Sequence, residues 1–369
     1  MRQDNSELTV AVFAGDGIGP EVTAPCVALL AEIADALGGP TLAFEDLSAG
    51  AGHYLETGEA LPAESLERAA AADAILLGAM GDPEVRYPDG TEIVPQIDLR
   101  DHFALYSGVR PVTTRPGMRV PLADPRGQEL DFVIIRESTE GLFAHRGEGI
   151  ETEDSSTDRL TITRAACGRL FDFSFELARR RKAEGGPGIV TCVDKANVLQ
   201  SMGFFRRMFD ERAERFPDIE RRYMYVDAAA LALVKQPWVF DVMVMENLLG
   251  DILSDLGAGL MGGLGMAPSA DIGDGHAVFQ PCHGTAPDIA GSGKANPTAM
   301  FLSGAMMLDW LGERHDVPEL RAGGSIFRDA VGAAFADGAL HPTELGGGDG
   351  LTEITARVRA EVQTALAAR

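Results

Sequence analysis

An apolar run of strand length that gives way to glycine or polar residues, and then to a helical pattern, recurs along this chain. The first instance is "LTVAVFAGDGIGPEVTAPCVALLAEIADALG"; others are "ADAILLGAMG", "LDFVIIRESTEG", "PGIVTCVDKANVL" and "WVFDVMVMENLLGDILSDL". In the first, Pro20 stands near the helix start and Gly38 after its end, the usual asymmetry of helix termini. Strands that alternate with helices predict an α/β sheet with ligands beyond the strand ends. The polar residues that close each run are therefore the candidates for chemistry.

With 369 residues and 45% hydrophobic content, the chain can bury a sizeable core arranged as two domains or two lobes sharing one sheet. No apolar run approaches the roughly 20 residues that span a bilayer, and "MRQDNSELTVAVFAGDG" has no secretory pattern, so a cytoplasmic protein is expected. Cys26, Cys167, Cys192 and Cys282 lie far apart and form no C-x-x-C pair, which fits a reducing compartment. A net charge of −24 repels nucleic acid and anionic membranes, and neither is expected as a partner. Between the apolar units, "RGEGIETEDSSTDRLTITRAA" reads as a solvated loop or a projecting hairpin arm, and the β-branched alternation in "RLTITR" favours the arm.

In "ENLLGDILSDLGAGL", Asp251 and Asp255 stand one helical turn apart in an otherwise apolar run. The i,i+4 spacing points both carboxylates the same way, where repulsion and desolvation leave one protonated unless a cation lies between them. Asp227, ending "YMYVDAAAL", is a third acid after an apolar segment; the three together make an all-oxygen site suited to magnesium or manganese. Taken singly, each fits a helix cap or a surface position better. Arg100 in "IDLRDHF", Arg110 in "YSGVRPV" and Arg136 in "FVIIRESTEG" each end or follow an apolar segment, where a half-buried guanidinium wants a fixed anion. A small polycarboxylate is one such anion, and a structural ion pair is the alternative for any one of them.

Lysine is used sparingly, at positions 182, 195, 235 and 294, and Lys195 in "TCVDKANVL" lies just past a strand, placed to take a proton from a hydroxyl. "GDGIGP" lacks the G-x-G-x-x-G spacing, so it serves either as a tight turn or as a close backbone approach to a ligand. "HGTAPDIAGSGKANPTAM" is an ordinary connection or a nucleotide wrap. As a wrap, the backbone from His283 through Gly284 and Thr285 to Ala286, a carboxylate at Asp288 for the ribose, and an amide at Asn296 for the base would select NAD.

Together "GDGIGPEV", "VDKANVL", "YVDA", "ENLLGDILSDL" and "HGTAPDIAGSGKANPTA" resemble the β-decarboxylating dehydrogenases, among them the isocitrate, isopropylmalate, homoisocitrate and tartrate/D-malate dehydrogenases, over nearly the whole chain. The resemblance implies a two-domain α/β isocitrate/isopropylmalate dehydrogenase-like fold, not a classical Rossmann fold. Residues 1–105 with 262–369 would form a large domain binding most of the NAD; 106–261 would form a small domain with the dimer interface, the metal aspartates and an arm at about 147–163. It further implies a homodimer with shared active sites. In that arrangement Arg100, Arg110 and Arg136 clamp a malate-type substrate, Asp251 and Asp255 bind Mg2+ or Mn2+ with Asp227, and Lys195 and Asp227 come from the partner subunit, while Ile18 joins the nucleotide site. The implied reaction is NAD-dependent oxidative decarboxylation of a 3-substituted malate, with 3-isopropylmalate the best match of motifs.

Two departures stand out. After "RESTEGL" the family usually has a tyrosine thought to protonate the enolate carbon, and this chain has Phe143. Either His145, Tyr225 or water replaces it, or the enzyme oxidises without efficient decarboxylation. Before Arg100, where members read the substrate's variable group, "TEIVPQIDLR" supplies Val94, Gln96 and Ile97, a pocket with one amide that matches neither a bare isopropyl group nor an extra carboxylate. The alternatives are a non-decarboxylating or D-malate/tartrate-type hydroxy-acid dehydrogenase, an isocitrate or homoisocitrate dehydrogenase, and a catalytically silent regulatory subunit. The last should have lost Lys195 or the aspartates, and all are present.

Overall fold

The structure, a computed structural model, describes residues 7–369. Its strands are β1 (Leu8–Gly15), β2 (Leu42–Asp46), β3 (Ala74–Ala79), β4 (Ser107–Thr113), β5 (Asp131–Glu137), β6 (Ile150–Glu151), β7 (Ser156–Thr157), β8 (Ile189–Asp194), β9 (Glu220–Tyr225), β10 (Val242–Met245), β11 (Pro268–Ile272) and β12 (Ala277–Pro281). All but β6 and β7 join one ten-stranded sheet in the order β2-β1-β3-β12-β11-β4-β5-β10-β8-β9. Both flanks are parallel, whereas β12-β11-β4-β5 across the centre are antiparallel. This is a mixed α/β sheet, and its strand order is not the 3-2-1-4-5-6 of a Rossmann fold.

The apolar runs become strands because helices cover both faces of the sheet. β3, β8 and β10 are buried along their whole length. The helix Thr298–Arg314 is buried over much of its surface and packs against β11 and β12. Strands from residues 8–79 and 268–281 build one half of the sheet, and strands from 107–245 the other. The seam is β11 against β4, with Asp271 opposite Gly108. On the far side of β4, Gly108 is opposite Arg136. A Cβ at Gly108 would come within 3.2 Å of Asp271 and 3.3 Å of Arg136, so the missing side chain lets those two residues approach across the strand between them.

Two local expectations are corrected. The segment before Asp227 is not apolar and buried: β9 is an exposed, charged edge strand ending at Tyr225, and Asp227 lies in the first turn of the helix Val226–Lys235. In the polar segment, pairing falls on Ile150–Glu151 and Ser156–Thr157, ahead of the alternation in "RLTITR". Thr163 at the end of that alternation instead caps the helix Arg164–Ala183, accepting from the Ala166 amide.

The helix Asn247–Met261 starts at Glu246, whose side chain accepts from the Leu249 amide, and stops at Gly262 with φ 112°. Gly250 and Gly257 place its backbone directly on β5 and β4: a Cβ at Gly250 would lie 2.6 Å from the Cβ of Arg136, and one at Gly257 2.8 Å from Val112. Overpacking of that kind typically costs about 1–3 kcal/mol. Gly250→Ala should therefore lower the urea midpoint by that equivalent and disturb Arg136; an unchanged midpoint would contradict the close approach.

Candidate active site

A cavity of about 300 Å³ opens at the antiparallel centre of the sheet. The ends of β3 and β12, the helix Pro95–His102, strands β4 and β5 and the helix Asn247–Met261 enclose it. It gathers Arg100, Arg110, Arg136, Gln96, Ile97, Phe143, Asp251, Asp255, His283 and Gly284, together with Ser254, Ser269, Gln280 and Cys282. Arg110 and Arg136 share a sheet face because Gly108, the register partner of Arg136, is two residues from Arg110.

Behind the arginines lies Asp271, whose side chain is 0% exposed. Its Oδ2 accepts from Arg100 Nε at 3.1 Å and Gln280 Nε2 at 2.7 Å; its Oδ1 accepts from Arg110 Nη2 at 3.4 Å and Ser138 Oγ at 3.5 Å. Burial by itself would raise this carboxyl's pKa, but Arg100, Arg110 and Arg136 reverse the effect and hold it below the ordinary aspartate value. Burial would likewise lower Arg110, and Asp271 lifts it above the usual arginine value instead. Arg136 is the one pulled down, to about 10, by burial and by the charge of Arg100, with Asp251 opposing. It donates from Nε to Asn247 at 2.9 Å and from Nη1 to Asp251, and its guanidinium lies 5.3 Å from the centre of the Phe143 ring.

Asp251 and Asp255 line the same wall of the cavity, one turn apart. Partial loss of hydration and the charge of Asp251 raise the Asp255 carboxyl above its ordinary value. That is the signature of a carboxylate pair short of positive charge, and the all-oxygen chemistry of the two groups suits a hard divalent cation. No cluster of three or more metal-ligating side chains forms within one chain among the described residues. Asp227 is elsewhere, 2.6 Å from Lys195 Nζ, and neither lines the cavity. Lys195 holds the Asp227 carboxyl below its ordinary value.

Several polar atoms in the cavity wall are buried without a protein partner: Gln96 Oε1, Ser269 Oγ and His283 Nε2. Burial lowers the His283 pKa, so its ring is neutral, and Nδ1–H donates to Gly284 O at 2.8 Å. Nε2 is then an acceptor without a partner on a residue that lines the cavity. Orphaned buried polar atoms of this kind in a native cleft point to a ligand that satisfies them.

The remaining predicted nucleotide residues adjoin the cleft. Ile18 donates its amide to Thr285 O at 2.8 Å, and Gly17, at φ 56°, has no room for a Cβ because Thr285 O would lie 2.1 Å away. The "GDGIG" turn thus packs on the "HGTA" loop, where Ala286 also has a positive φ of 40°. Asp16 is structural, accepting from the amides of Ala51, Gly52 and Gly81. Asp288 is exposed. Asn296 is buried and occupied: its amide donates to Glu344 at 2.7 Å and its Oδ1 accepts from the Thr298 amide. His145 is turned into the hairpin region, held by Glu148, Thr161 and Arg159, and does not line the cavity.

Asp271, Gln280, Ser269 and Ser254 were not among the sequence candidates. Only Asp271, an acid inside the apolar-bounded "PSADI", carried any signal, and that signal was faint.

The family model described as isocitrate/isopropylmalate dehydrogenase matches residues 9–349. The 3-isopropylmalate/3-methylmalate dehydrogenase of Methanocaldococcus jannaschii is 44% identical over 82% of this chain and 86% of its own. The 3-isopropylmalate dehydrogenase of Bacillus thuringiensis is 37% identical over 97% of each. Among solved structures, isocitrate dehydrogenase from Methylococcus capsulatus superposes with a TM-score of 0.84 at 33% identity, covering 96% of this chain and 99% of that one. A beta-decarboxylating dehydrogenase from Thermococcus kodakarensis gives 0.79 at 35%, covering 98% and 97%.

A carboxyl with a raised pKa binds its proton more tightly in the folded chain than in the unfolded one, so stability falls as pH rises from the ordinary aspartate value through the raised one. Without divalent cation, the melting temperature should show that fall and Asp255→Asn should flatten it. An identical pH profile in the variant would contradict the assignment.

Proposed function

The chain belongs to the isocitrate/isopropylmalate dehydrogenase family, and from that premise we propose that it catalyses the NAD-dependent, divalent-metal-assisted oxidative decarboxylation of a 3-substituted malate, 3-isopropylmalate foremost. The observation that carries the reading is a cleft in which three guanidinium groups face the two aspartates of one helix wall. Guanidinium forks match carboxylates in shape and charge.

In this reading Arg100, Arg110 and Arg136 bind and orient the two carboxylates of the malate. Asp251 and Asp255 would hold Mg2+ or Mn2+, with Asp227 contributed by a second copy. When bound, the cation would supply Lewis-acid polarisation of the substrate's hydroxyl and carbonyl oxygens and NAD would supply the hydride acceptor. Lys195 of the second copy takes the hydroxyl proton on Nζ, its position fixed by Asp227. His283 Nε2, Ser269 Oγ and Gln96 Oε1 supply the polar contacts that orient nucleotide and substrate, and Ile97 packs on the 3-substituent. The turn at Ile18, the loop His283 to Ala286 and Asp288 carry the nucleotide, and Asn296 anchors that loop from beneath.

A homodimer is supported by the exposed apolar side chains Val198, Leu199, Leu231, Val234 and Ile252, which surround Lys195, Asp227 and Asp251 in sequence. The β11–β4 seam is the natural border between a large domain of 1–105 with 262–369 and a small one of 106–261, with the exposed hairpin β6–β7 as its arm. No helix is long and apolar enough to cross a membrane among the described residues.

One observation favours a second reading, oxidation without efficient decarboxylation. Phe143 lies in the cleft beside Arg136 and has no proton to give, and His145 is committed to the hairpin region.

A parallel assay of NADH and CO2 with Mn2+, offering 3-isopropylmalate, isocitrate, homoisocitrate, D-malate and tartrate, decides between them. Equal yields of both products from 3-isopropylmalate are expected. NADH without CO2, with CO2 gained in Phe143→Tyr, would establish plain oxidation, and absence of both products with every acid would overturn the proposal. Asp251→Asn should lower metal-dependent turnover by roughly 100-fold or more, as losses of preorganised electrostatic groups do, with an unchanged circular-dichroism spectrum.

A further inference from the structure

The arginine clamp does not face the cleft with its full charge. Arg100 gives its Nε to Asp271, and Arg110 directs Nη2 to Asp271 while Nη1 bonds the carbonyls of Val109 and Ala270. The other ionisable groups nearby contribute no charge or are engaged elsewhere. His283 is neutral, and burial pushes the Cys282 thiol up to about 11. Glu137 accepts from Thr139 and the Glu140 amide, and Glu246 caps its own helix. Asp251 and Asp255 form the acidic wall, and Asp251 accepts from Nη1 of Arg136. Three guanidinium charges are set against one buried, fully ion-paired carboxylate; Arg136 also pairs with Asp251, but in the proposed reading that acid's charge is balanced by the divalent cation, which leaves two charges of the clamp for a ligand.

We propose that Asp271 is a specificity-determining residue: it holds Arg100 and Arg110 in position and sets the clamp's charge at two, so that the cleft accepts malates with two carboxylates and discriminates against those carrying a third. The proposal rests on the reading of this cleft as the malate site. The polar amide of Gln96 at the cavity wall adds no positive charge for a third carboxylate. The register of the sheet places Asp271 here, with side-chain-free Gly108 between it and Arg136.

The test is calorimetric titration of 3-isopropylmalate and of isocitrate, with Mn2+ present, into the full-length protein, Asp271→Asn and Gln280→Glu. Asn keeps the shape and removes the charge; Glu at 280 adds a second negative charge beside the same arginines. Wild type should prefer the dicarboxylate, Asp271→Asn should shift the affinity ratio toward isocitrate by on the order of tenfold, and Gln280→Glu should shift it the opposite way. A purely structural role for Asp271 would weaken both ligands alike and leave the ratio where it was, and that result would overturn the proposal. If Asp271→Asn does not fold, the Gln280→Glu ratio alone decides: an unmoved ratio refutes the charge count. Failure of wild type to bind either acid would overturn the malate reading itself and this assignment with it, an outcome distinct from an unmoved ratio.

Discussion

A carboxylate with no solvent contact at all sits at the seam of the sheet, and the active-site cleft is organised around it. Removing such a group from water costs several kcal/mol, recovered only with near-complete hydrogen bonding and opposite charge. Asp271 has both, from Arg100, Arg110, Gln280 and Ser138. Those four partners come from a helix, two strands and the turn beyond β5, drawn from both halves of the sheet. One carboxylate thus fixes two guanidinium groups and ties the halves together where the cleft opens.

The second organising constraint is steric. The helix Asn247–Met261 lies on β4 and β5 through glycines, so its next stripe of side chains, Asp251 and Asp255, projects into the cavity opposite the arginines. Opposed rows of acid and base result. Asp251 is already engaged by Arg136, while partial burial and the charge of Asp251 hold the Asp255 carboxyl above its ordinary value. A divalent cation and a dianionic substrate bound side by side would complete this charge arrangement, each making the other's site more favourable.

Much of this was legible in the sequence. Apolar runs closed by polar residues gave the strands, because strands buried on both faces admit little else, and Arg110 and Arg136 fell in or at the ends of such runs. The i,i+4 aspartates were legible because helical periodicity is local. Asp271 was not, since its importance comes from the pairing of β11 with β4 and of β4 with β5, where β11 lies more than a hundred residues beyond the other two, and register is invisible in one chain's order. The apolar character expected before Asp227 was misjudged because the strand that precedes it, Glu220–Tyr225, lies exposed at the sheet edge, and Asp227 stands in the first turn of the following helix. His145 could be judged only once its partners in the hairpin region were in place, and the occupation of Asn296 by Glu344 was equally hidden.

The central claim is that the arginine clamp and the aspartate pair form one site for a malate and a cation. Titration of 3-isopropylmalate with and without Mn2+, and of Mn2+ with and without 3-isopropylmalate, tests it most directly. Linkage requires each ligand to strengthen the other by the same factor, and adjacent opposite charges make that factor roughly tenfold or more. Reciprocal enhancement that disappears in Asp251→Asn is the predicted result, and affinities that do not depend on the other ligand would contradict it.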